Sequence, residues 1–495
     1  MGMVACGVFV ESNIFQKGFE IADFNGIIRN LSSWEGLLMN TISPETLSEI
    51  SSLVGREHVI SDMETLRSVF PKCTLSGTPK AGALVYPINE EQVAGIVRIA
   101  ARAGLSLTPV GTGNQLSGVV DITPATLLVS LSKMNKILEI DDKNLMVSVE
   151  AGTTLCALYA ALAEKNFFYP PLSDIMPDSS IGAIVALNAG GARSFRYGRA
   201  SDYLMGVTAV TADGMILNAG RKALKDVAGY NLDRFMAGSR GTLGIITRVL
   251  LKVLPQPQCR AMIVSYYPSC AEALKASSMI SMERFLPSMI EIMDACTIAA
   301  LAKFNSAGLV TSAGALLMTE IDGHPAAVKD TAQAIEGICR EAGATQCIIT
   351  DSPEKEESLL QARMNTLAGL EKITGAAVLL EIKVPRTALT GFVENTSLAL
   401  KEAGISSGMF GCAGNGHIYI CLMPETGARF KSLKVSIEKV GCLATSAGGH
   451  CRILHIRGID DAVEYIAEHN STIADIAVLI KEAYDPAGMF KPIAP

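Results

Sequence analysis

Twelve cysteines are scattered along the 495 residues with no Cys-x-x-Cys pair among them. That spacing argues against a disulfide framework, a structural zinc knot and an in-chain iron–sulfur cluster, and predicts reduced thiols in a cytoplasmic protein. No run of about 18 apolar residues occurs, so no membrane-spanning helix is expected. The start, MGMVACGVFVESN, lacks the basic flank and cleavage pattern of a secretory signal. Cys6 stands where a myristoylation signal wants Ser or Thr. There is no basic block and no interleaving of basic with aromatic residues, and 42 Lys+Arg against 49 Asp+Glu leave a mild net charge of −7. Nucleic acid is therefore a poor partner. What is present is a 49% hydrophobic chain long enough for roughly three packing units.

Residues 1–43 carry no clear periodicity and read as an N-terminal extension. A polar-faced helical pattern covers 43–73. Regular alternation begins near Val85-Tyr86-Pro87. Asn89 and Gln92 have capping-box spacing ahead of an apolar face of Val93, Ile96, Val97 and Ala100, and Gly104 ends that helix. Strands are expected at 105–110, 127–131, 137–140 and 145–149, with a helix from Thr153, and a hairpin turns at Asp213-Gly214. Many strands with occasional helices make the class α+β. Pro255 and Pro257 mark a boundary. Beyond them, helical segments (271–282, 326–342, 358–370, 388–403) alternate with strands (315–321, 377–384, 418–422). The expected organisation is an extension at 1–43, a nucleotide-binding domain at 44–257 with its core from about 80, a second α+β domain at 258–455, and a C-terminal helical segment at 456–495.

Three glycine-rich segments fall in the first large domain: Gly111-Thr112-Gly113-Asn114-Gln115-Leu116-Ser117-Gly118 directly after a strand; Ser180-Ile181-Gly182 with Asn188-Ala189-Gly190-Gly191; and Gly238-Ser239-Arg240-Gly241-Thr242-Leu243-Gly244. The first is not a dinucleotide fingerprint, because Leu116 takes the third glycine place, and no Gly-Lys-Ser/Thr makes it a Walker loop. Singly, each reads as a turn needing positive φ. Together, interleaved with strands, they suit close backbone approach to a large flat ligand carrying a pyrophosphate.

The order of Val85-Tyr86-Pro87, PVGTGNQLSG, SIGAIVALNAGG, YGRASDYLMG, AGYNLDRFMAGSRGTLGIIT and DPAGMFKP resembles the FAD-linked oxidase family, of the vanillyl-alcohol-oxidase-like FAD fold. Within it the chain is most similar to the group of the glycolate oxidase FAD subunit and the D-lactate and D-2-hydroxyglutarate dehydrogenases. The resemblance implies FAD between two α+β subdomains, with an α+β cap over the isoalloxazine ring and the C-terminal segment packing back near the flavin. It implies that Gly111, Thr112, Gly113, Asn114 and Gln115 cradle the pyrophosphate, while Ser117, Ser180, Gly182, Ala189, Gly190 and Ile246 line the rest. No histidine lies in these loops, so the flavin is expected to be non-covalent.

Oxidising a 2-hydroxy acid on flavin requires a cation for the carboxylate, a base for the hydroxyl proton and a Cα–H aimed at the ring. By resemblance, Arg363 is the carboxylate-binding arginine. The family's usual metal pattern, His-x-Gly-Asp-Gly-Asn-x-His, reads here Cys412-Ala413-Gly414-Asn415-Gly416-His417-Ile418-Tyr419, and its later Glu-His-Gly reads Gly449-His450-Cys451. Three ligand types are lost, so a hard divalent metal is not expected. Two readings remain: a softer site from Cys412, His417, His450 and Cys451, or His450 or His417 as a metal-free base. Arg240 reverses the charge of a place where the family commonly has an acid, and Val110 replaces a usual arginine. His58, His324, His455 and His469 read as surface or structural.

The expected function is an FAD-dependent dehydrogenase of a small 2-hydroxy acid, glycolate- or D-lactate-like. Its electrons would leave for an iron–sulfur subunit or an electron-transfer flavoprotein, in the cytoplasm or at the inner membrane through that partner. The alternatives are a non-catalytic, flavin-carrying electron-relay subunit of a hydroxy-acid oxidase complex, and an oxidase of a neutral alcohol or sugar.

Overall fold

Two small sheets, packed on one core, precede a single large antiparallel sheet in chain order. The computed structural model describes residues 41–62, 64–66, 82–112, 123–171, 178–225, 229–304, 308–350, 352–425, 427–428, 430–457 and 475–491. The expected extension, up to residue 40, lies outside them. Helix Pro44–Val54 is capped by Ser43 Oγ, which accepts from Thr46 N at 3.2 Å. It ends there rather than running on to residue 73, because Gly55 takes φ 95 and a short strand, β1 (Val59–Ile60), follows. β2 is Ala83–Val85, β3 Ser106–Val110 and β4 Thr126–Ser130, in the order β1-β2-β4-β3. Between β2 and β3, helix Glu90–Ala103 starts at Asn89, whose Oδ1 accepts from Gln92 N at 2.8 Å. Gln92 Oε1 accepts in return from Ile88 N, and Gly104 stops the helix in the left-handed region.

The second sheet has the order β5-β6-β10-β8-β9, from β5 (Ile137–Asp141), β6 (Met146–Glu150), β8 (Leu204–Val210), β9 (Ile216–Gly220) and β10 (Ile245–Lys252). Two two-residue strands, β7 (Phe167–Phe168) and β11 (Leu254–Pro255), pair with each other. One apolar cluster joins both sheets, and Met489 and Phe490 belong to it. The chain end adds an edge beside β3: Leu107 N donates to Met489 O at 2.9 Å and Lys491 N to Leu107 O at 3.1 Å.

The large sheet is eight-stranded and antiparallel throughout: β12 (Cys259–Tyr267), β13 (Met289–Asp294), β14 (Ala315–Gly323), β15 (Gln346–Thr350), β16 (Ala377–Lys383), β17 (Ser407–Cys412), β18 (His417–Leu422) and β19 (His450–Arg457). Their order is β15-β12-β14-β13-β17-β18-β16-β19. One face carries Val378, Leu380 and Ile382 into a core with helices Cys270–Met282, Pro325–Glu341, Leu389–Glu402 and Phe430–Ser446. The other face packs Met293, Met318, Leu379, Phe410 and Tyr419 with Ala192 of the first part of the chain. The single helix expected at 358–370 is two, Pro353–Met364 and Thr366–Thr374. Thr366 Oγ1 donates to the carbonyls of Arg363 (2.8 Å) and Ala362 (3.3 Å) at the break, where the backbone competes for the same acceptors. Among the described residues no helix is long and apolar enough to cross a membrane.

Buried charge ties this face to the first part of the chain. Arg193 donates from Nε and Nη2 to the two carboxylate oxygens of Glu320 on β14, both at 2.8 Å, with side chains 9% and 1% exposed. Arg196 pairs with Asp322 at 2.6 Å, and Tyr197 Oη donates to the same carboxylate at 2.8 Å. Removing one partner of so buried a pair strands the other charge. Arg193→Met is expected to cost about 3 kcal/mol in urea unfolding. Replacing both residues (R193M with E320L) should recover most of that loss; a double variant as unstable as the single one would show that the pair is not the source.

Candidate active site

A groove opens where β3 runs out. Pro109 to Thr112 form one wall, Ser179, Ser180, Gly182 and Ala183 the second, and Arg240, Gly241, Gly244 and Ile246 the third. Helix Ile181–Ala186 starts on Ser180, whose Oγ accepts from Ala183 N at 3.3 Å. A Cβ at Gly111 would fall 2.3 Å from Ser180 Oγ, so only glycine lets these walls meet. Gly241, at φ 76, would place its Cβ 2.5 Å from Pro109 Cγ, and the rigid ring cannot yield. The hydroxyls of Ser179 and Ser239 are buried with no hydrogen-bond partner among the described residues. An unmet donor inside a glycine-walled groove fits a ligand rich in acceptors, as a flavin dinucleotide is. Lys481 holds the third wall from behind, donating to Thr242 O at 2.7 Å and Phe490 O at 2.9 Å while pairing with Asp485.

Of the expected cofactor residues, Gly111, Thr112, Ser180, Gly182 and Ile246 line this groove. Ala189 and Gly190 lie in the turn beyond it, where Ala200 N donates to Ala189 O and Ser194 Oγ accepts from Gly191 N at 2.6 Å. Gly113, Asn114, Gln115 and Ser117 lie outside the described residues.

The large sheet supplies the polar surface. Register places Glu291 (β13), Cys412 (β17), His417 (β18), Lys383 (β16) and His450 (β19) in one line across five strands. The next line on the same face is Met293, Phe410, Tyr419, Glu381 and Arg452. Glu381, 5% exposed, gathers three cationic groups: His417 Nε2 at 2.8 Å, Lys383 Nζ at 3.3 Å, and Arg452 through Nε. Burial opposes ionisation of Glu381. The hydrogen bond with His417 and the charges of Arg452, His417 and Lys383 outweigh it and hold the carboxyl well below its usual range. Asn415 Oδ1 accepts from His417 N at 3.0 Å, fixing the turn that starts β18. The His417 and Tyr419 rings lie 4.9 Å apart. His450, more exposed at the end of its line, is pushed below the ordinary imidazole value by burial and by Lys383. Arg240 joins groove and sheet electrostatically, since its guanidinium feels both Arg452 and Glu381.

Arg363 meets the Glu291 end of the same face. Its Nε pairs with Glu291, both side chains are buried, and the guanidinium lies 5.2 Å over the Phe410 ring. Its charge is therefore met within the protein.

The donors present do not fit a metal. No group of three or more His, Cys, Asp or Glu able to hold an ion occurs among the described residues. The softer set of Cys412, His417, His450 and Cys451, one of the two readings left open by the sequence, is broken up by the strand register. Lys383 stands between the two histidines in the strand register, and Cys451, next to His450 on its strand, projects to the opposite face. Burial and Glu291 also push the Cys412 thiol well above its ordinary value, away from the thiolate a metal needs. His455, expected to be structural, bonds Glu371 at 2.8 Å.

Glu381, Lys383, Arg452 and Glu291 were missed from the sequence. The available signal was a pair of charges, Glu381 and Lys383, inside the otherwise apolar strand Ala377–Lys383. In a sheet covered on both faces such charges mark a polar patch.

The same two-part arrangement appears in known proteins. A model of the FAD binding domain matches residues 81–220, and one of the C-terminal domain of FAD linked oxidases matches 256–493. The glycolate oxidase subunit GlcD of Bacillus subtilis is 32% identical over 337 residues, which is 68% of this chain and 72% of that protein. A D-lactate dehydrogenase of Anaerostipes hadrus is 28% identical over 464 residues, 92% and 97% of the two chains. Among solved structures, p-cresol methylhydroxylase superposes with a TM-score of 0.74 at 14% identity (92% and 98% of the chains). The 4-ethylphenol oxidase of Gulosibacter chungangensis does so with 0.71 at 19% (92% and 97%), a likeness of fold. Both halves of the chain thus match the family that the glycine walls and the capping sheet indicate: it is a member of the FAD-linked oxidases, an α+β flavoprotein whose cofactor is FAD.

Proposed function

We propose that the chain oxidises a small 2-hydroxy acid, glycolate- or D-lactate-like, to the 2-oxo acid and passes the electrons to a partner protein in the cytoplasm. The observation that carries this reading is the Glu381 cluster, which sets an oriented histidine among cations on the sheet face electrostatically linked to the groove. When bound, FAD supplies the two-electron acceptor for the substrate hydride. The relatives named a glycolate oxidase subunit and a D-lactate dehydrogenase support the substrate class. The subunit name supports a partner, an iron–sulfur subunit or electron-transfer flavoprotein, because the cysteine pattern offers no cluster site of its own. The groove's described lining has neither histidine nor cysteine, which supports non-covalent flavin.

His417 is the base in this reading. With Nε2 2.8 Å from the Glu381 carboxylate, Nδ1 is left to accept the hydroxyl proton, and the carboxylate stabilises the resulting imidazolium, as a buried acid does for a triad histidine. Arg452 and Lys383 take the substrate carboxylate, a role that the Glu291-paired Arg363 is poorly placed to fill. His450 keeps a neutral imidazole beside Lys383 and is the second candidate for the base.

The burial of Arg363 favours one other reading, a flavin-carrying relay subunit that turns over no acid itself. Anaerobic bleaching of the flavin by D- and L-2-hydroxy acids decides between them. One acid should bleach within seconds, whereas a flavin reduced only by a co-purified partner makes the chain a relay. In the bleaching enzyme, His417→Gln is expected to slow flavin reduction by about 10²-fold or more at unchanged FAD content. A larger loss in His450→Gln than in His417→Gln would move the base to His450. Because folding depresses the Glu381 carboxyl, its contribution to stability is present above the unfolded value of about 4.3 and is lost as pH falls below it. The Glu381→Gln protein should therefore show a flatter acid limb when unfolding midpoints are followed from pH 6 to pH 3.

A further inference from the structure

The other face of the large sheet, under the helices, holds two thiols that take no part in that chemistry. Helix Pro325–Glu341 lays one stripe on it, Val328, Ala332, Ile335 and Cys339, and Cys339 is fully buried. The chain turns at Gly343, φ 104, with Ala344 N donating to Cys339 O at 2.9 Å, and returns at once as the edge strand β15. Cys347 lies opposite Ser265 of β12, so both side chains point to the helix layer, as that of Tyr267 does two residues on. Cys347 is half-buried and packs against the core that contains Cys339. The two sulfurs are in hydrogen-bond contact. The bond from Cys347 outweighs burial and lowers the Cys339 thiol, and the same bond, with burial, raises Cys347. The Tyr267 hydroxyl is buried with no hydrogen-bond partner among the described residues, and the charge of a Cys339 thiolate reaches it. A thiolate there is the acceptor that this hydroxyl lacks. The strand itself is thinly covered: Ile348 and Ile349 are 40% and 37% exposed on a strand with one neighbour.

We propose that Cys339 and Cys347 are a reversible dithiol–disulfide pair, a modification site for small disulfides of the oxidised-glutathione type, whose closure fastens edge strand β15 to the helix over it. The half-buried Cys347 is the sulfur that a small disulfide reaches. It attacks one sulfur of oxidised glutathione, its proton passes to the Cys339 thiolate, and one glutathione leaves as a thiolate. Cys339 then attacks the Cys347 sulfur of the mixed disulfide, and the second glutathione leaves with the Cys339 proton. The two protein sulfurs lose two electrons, and one glutathione disulfide becomes two glutathiones.

The test treats the reduced, FAD-loaded protein with excess oxidised glutathione, blocks the remaining thiols with iodoacetamide and digests with trypsin for mass spectrometry. Cleavage after Arg340 puts Cys339 on peptide 330–340 and Cys347 on peptide 341–355, so their disulfide joins two peptides. The joined pair is expected, and dithiothreitol should separate it. Cys339→Ser should stop at the mixed disulfide, with glutathione left on Cys347. In Cys347→Ser the enclosed Cys339 should stay unmodified. Tyr267→Phe removes only the unpartnered hydroxyl and should slow the joining about tenfold at unchanged FAD content. Hydrogen exchange at 346–350 should slow when the wild-type protein is oxidised. Peptides recovered apart with both thiols alkylated overturn the proposal, as does wild-type protein that keeps glutathione on Cys347. Cys339 joined equally to other cysteines would mean random pairing and overturns it too. Exchange at 346–350 unchanged by oxidation overturns the fastening of β15, and an unchanged rate in Tyr267→Phe overturns the part given to its hydroxyl.

Discussion

The bidentate pair of Arg193 with Glu320 is the contact on which the rest of the molecule depends. It joins the turn after helix Ile181–Ala186 to an interior strand of the large sheet, and it does so out of water. Two charges buried this deeply are held only by good geometry, and here both carboxylate oxygens are engaged, one of them also by Ser288 Oγ at 2.6 Å. Arg196, Tyr197 and Asp322 extend the contact at its rim. Phe195 lies against Gly414, where any side chain would strike its ring, so the tight turn between β17 and β18 is set by the nucleotide-binding part of the chain. The position of His417 follows from that turn. His417 and the glycine-walled groove are thus registered to each other by a short segment, 193–197, that belongs to neither.

The chemistry of the sheet face follows from the cost of burying Glu381. A carboxylate with so little exposure must be paired several times over, and its three cationic neighbours come from three strands. Only one of them is adjacent to it in sequence. The same rule explains Arg363 and Glu291, which pair 72 residues apart and leave little charge for a ligand. Two carboxylates on one face thereby take opposite parts. Glu291 closes off an arginine, and Glu381 organises cations that outnumber it.

What could be read from the sequence was local. The glycine walls, the Asn89 cap and the strand ending at Val110 are decided within a few residues, and a backbone that must approach a ligand closely leaves glycine in view. The helix break at Asn365 was not legible, because it turns on a threonine hydroxyl taking helix carbonyls. Strands β12, β13, β15, β17 and β19 were passed over, and with them the sheet order. Without that order, Cys412, His417, Lys383 and His450 could not be seen to share a line. A one-residue change of register would send each of them to the other face. Arg363 shows the same limit: its place on a helix was readable, and its partner on a distant strand was not.

The departures from the family's metal pattern then form one consistent set. Cys412 is a buried thiol held protonated by its surroundings, and Tyr419 carries an aromatic ring against His417. In the strand register Lys383 stands between His417 and His450. Each change removes a ligand or adds fixed positive charge, and together they place permanent cations on the face where relatives of this pattern would place an ion. Fixed cations orient an anionic substrate but do not coordinate its hydroxyl oxygen. In the proposed oxidation proton removal falls to an imidazole, and the imidazolium it becomes calls for a carboxylate beside it. Glu381, on the strand next to His417 and at ion-pair distance from its ring, meets that requirement.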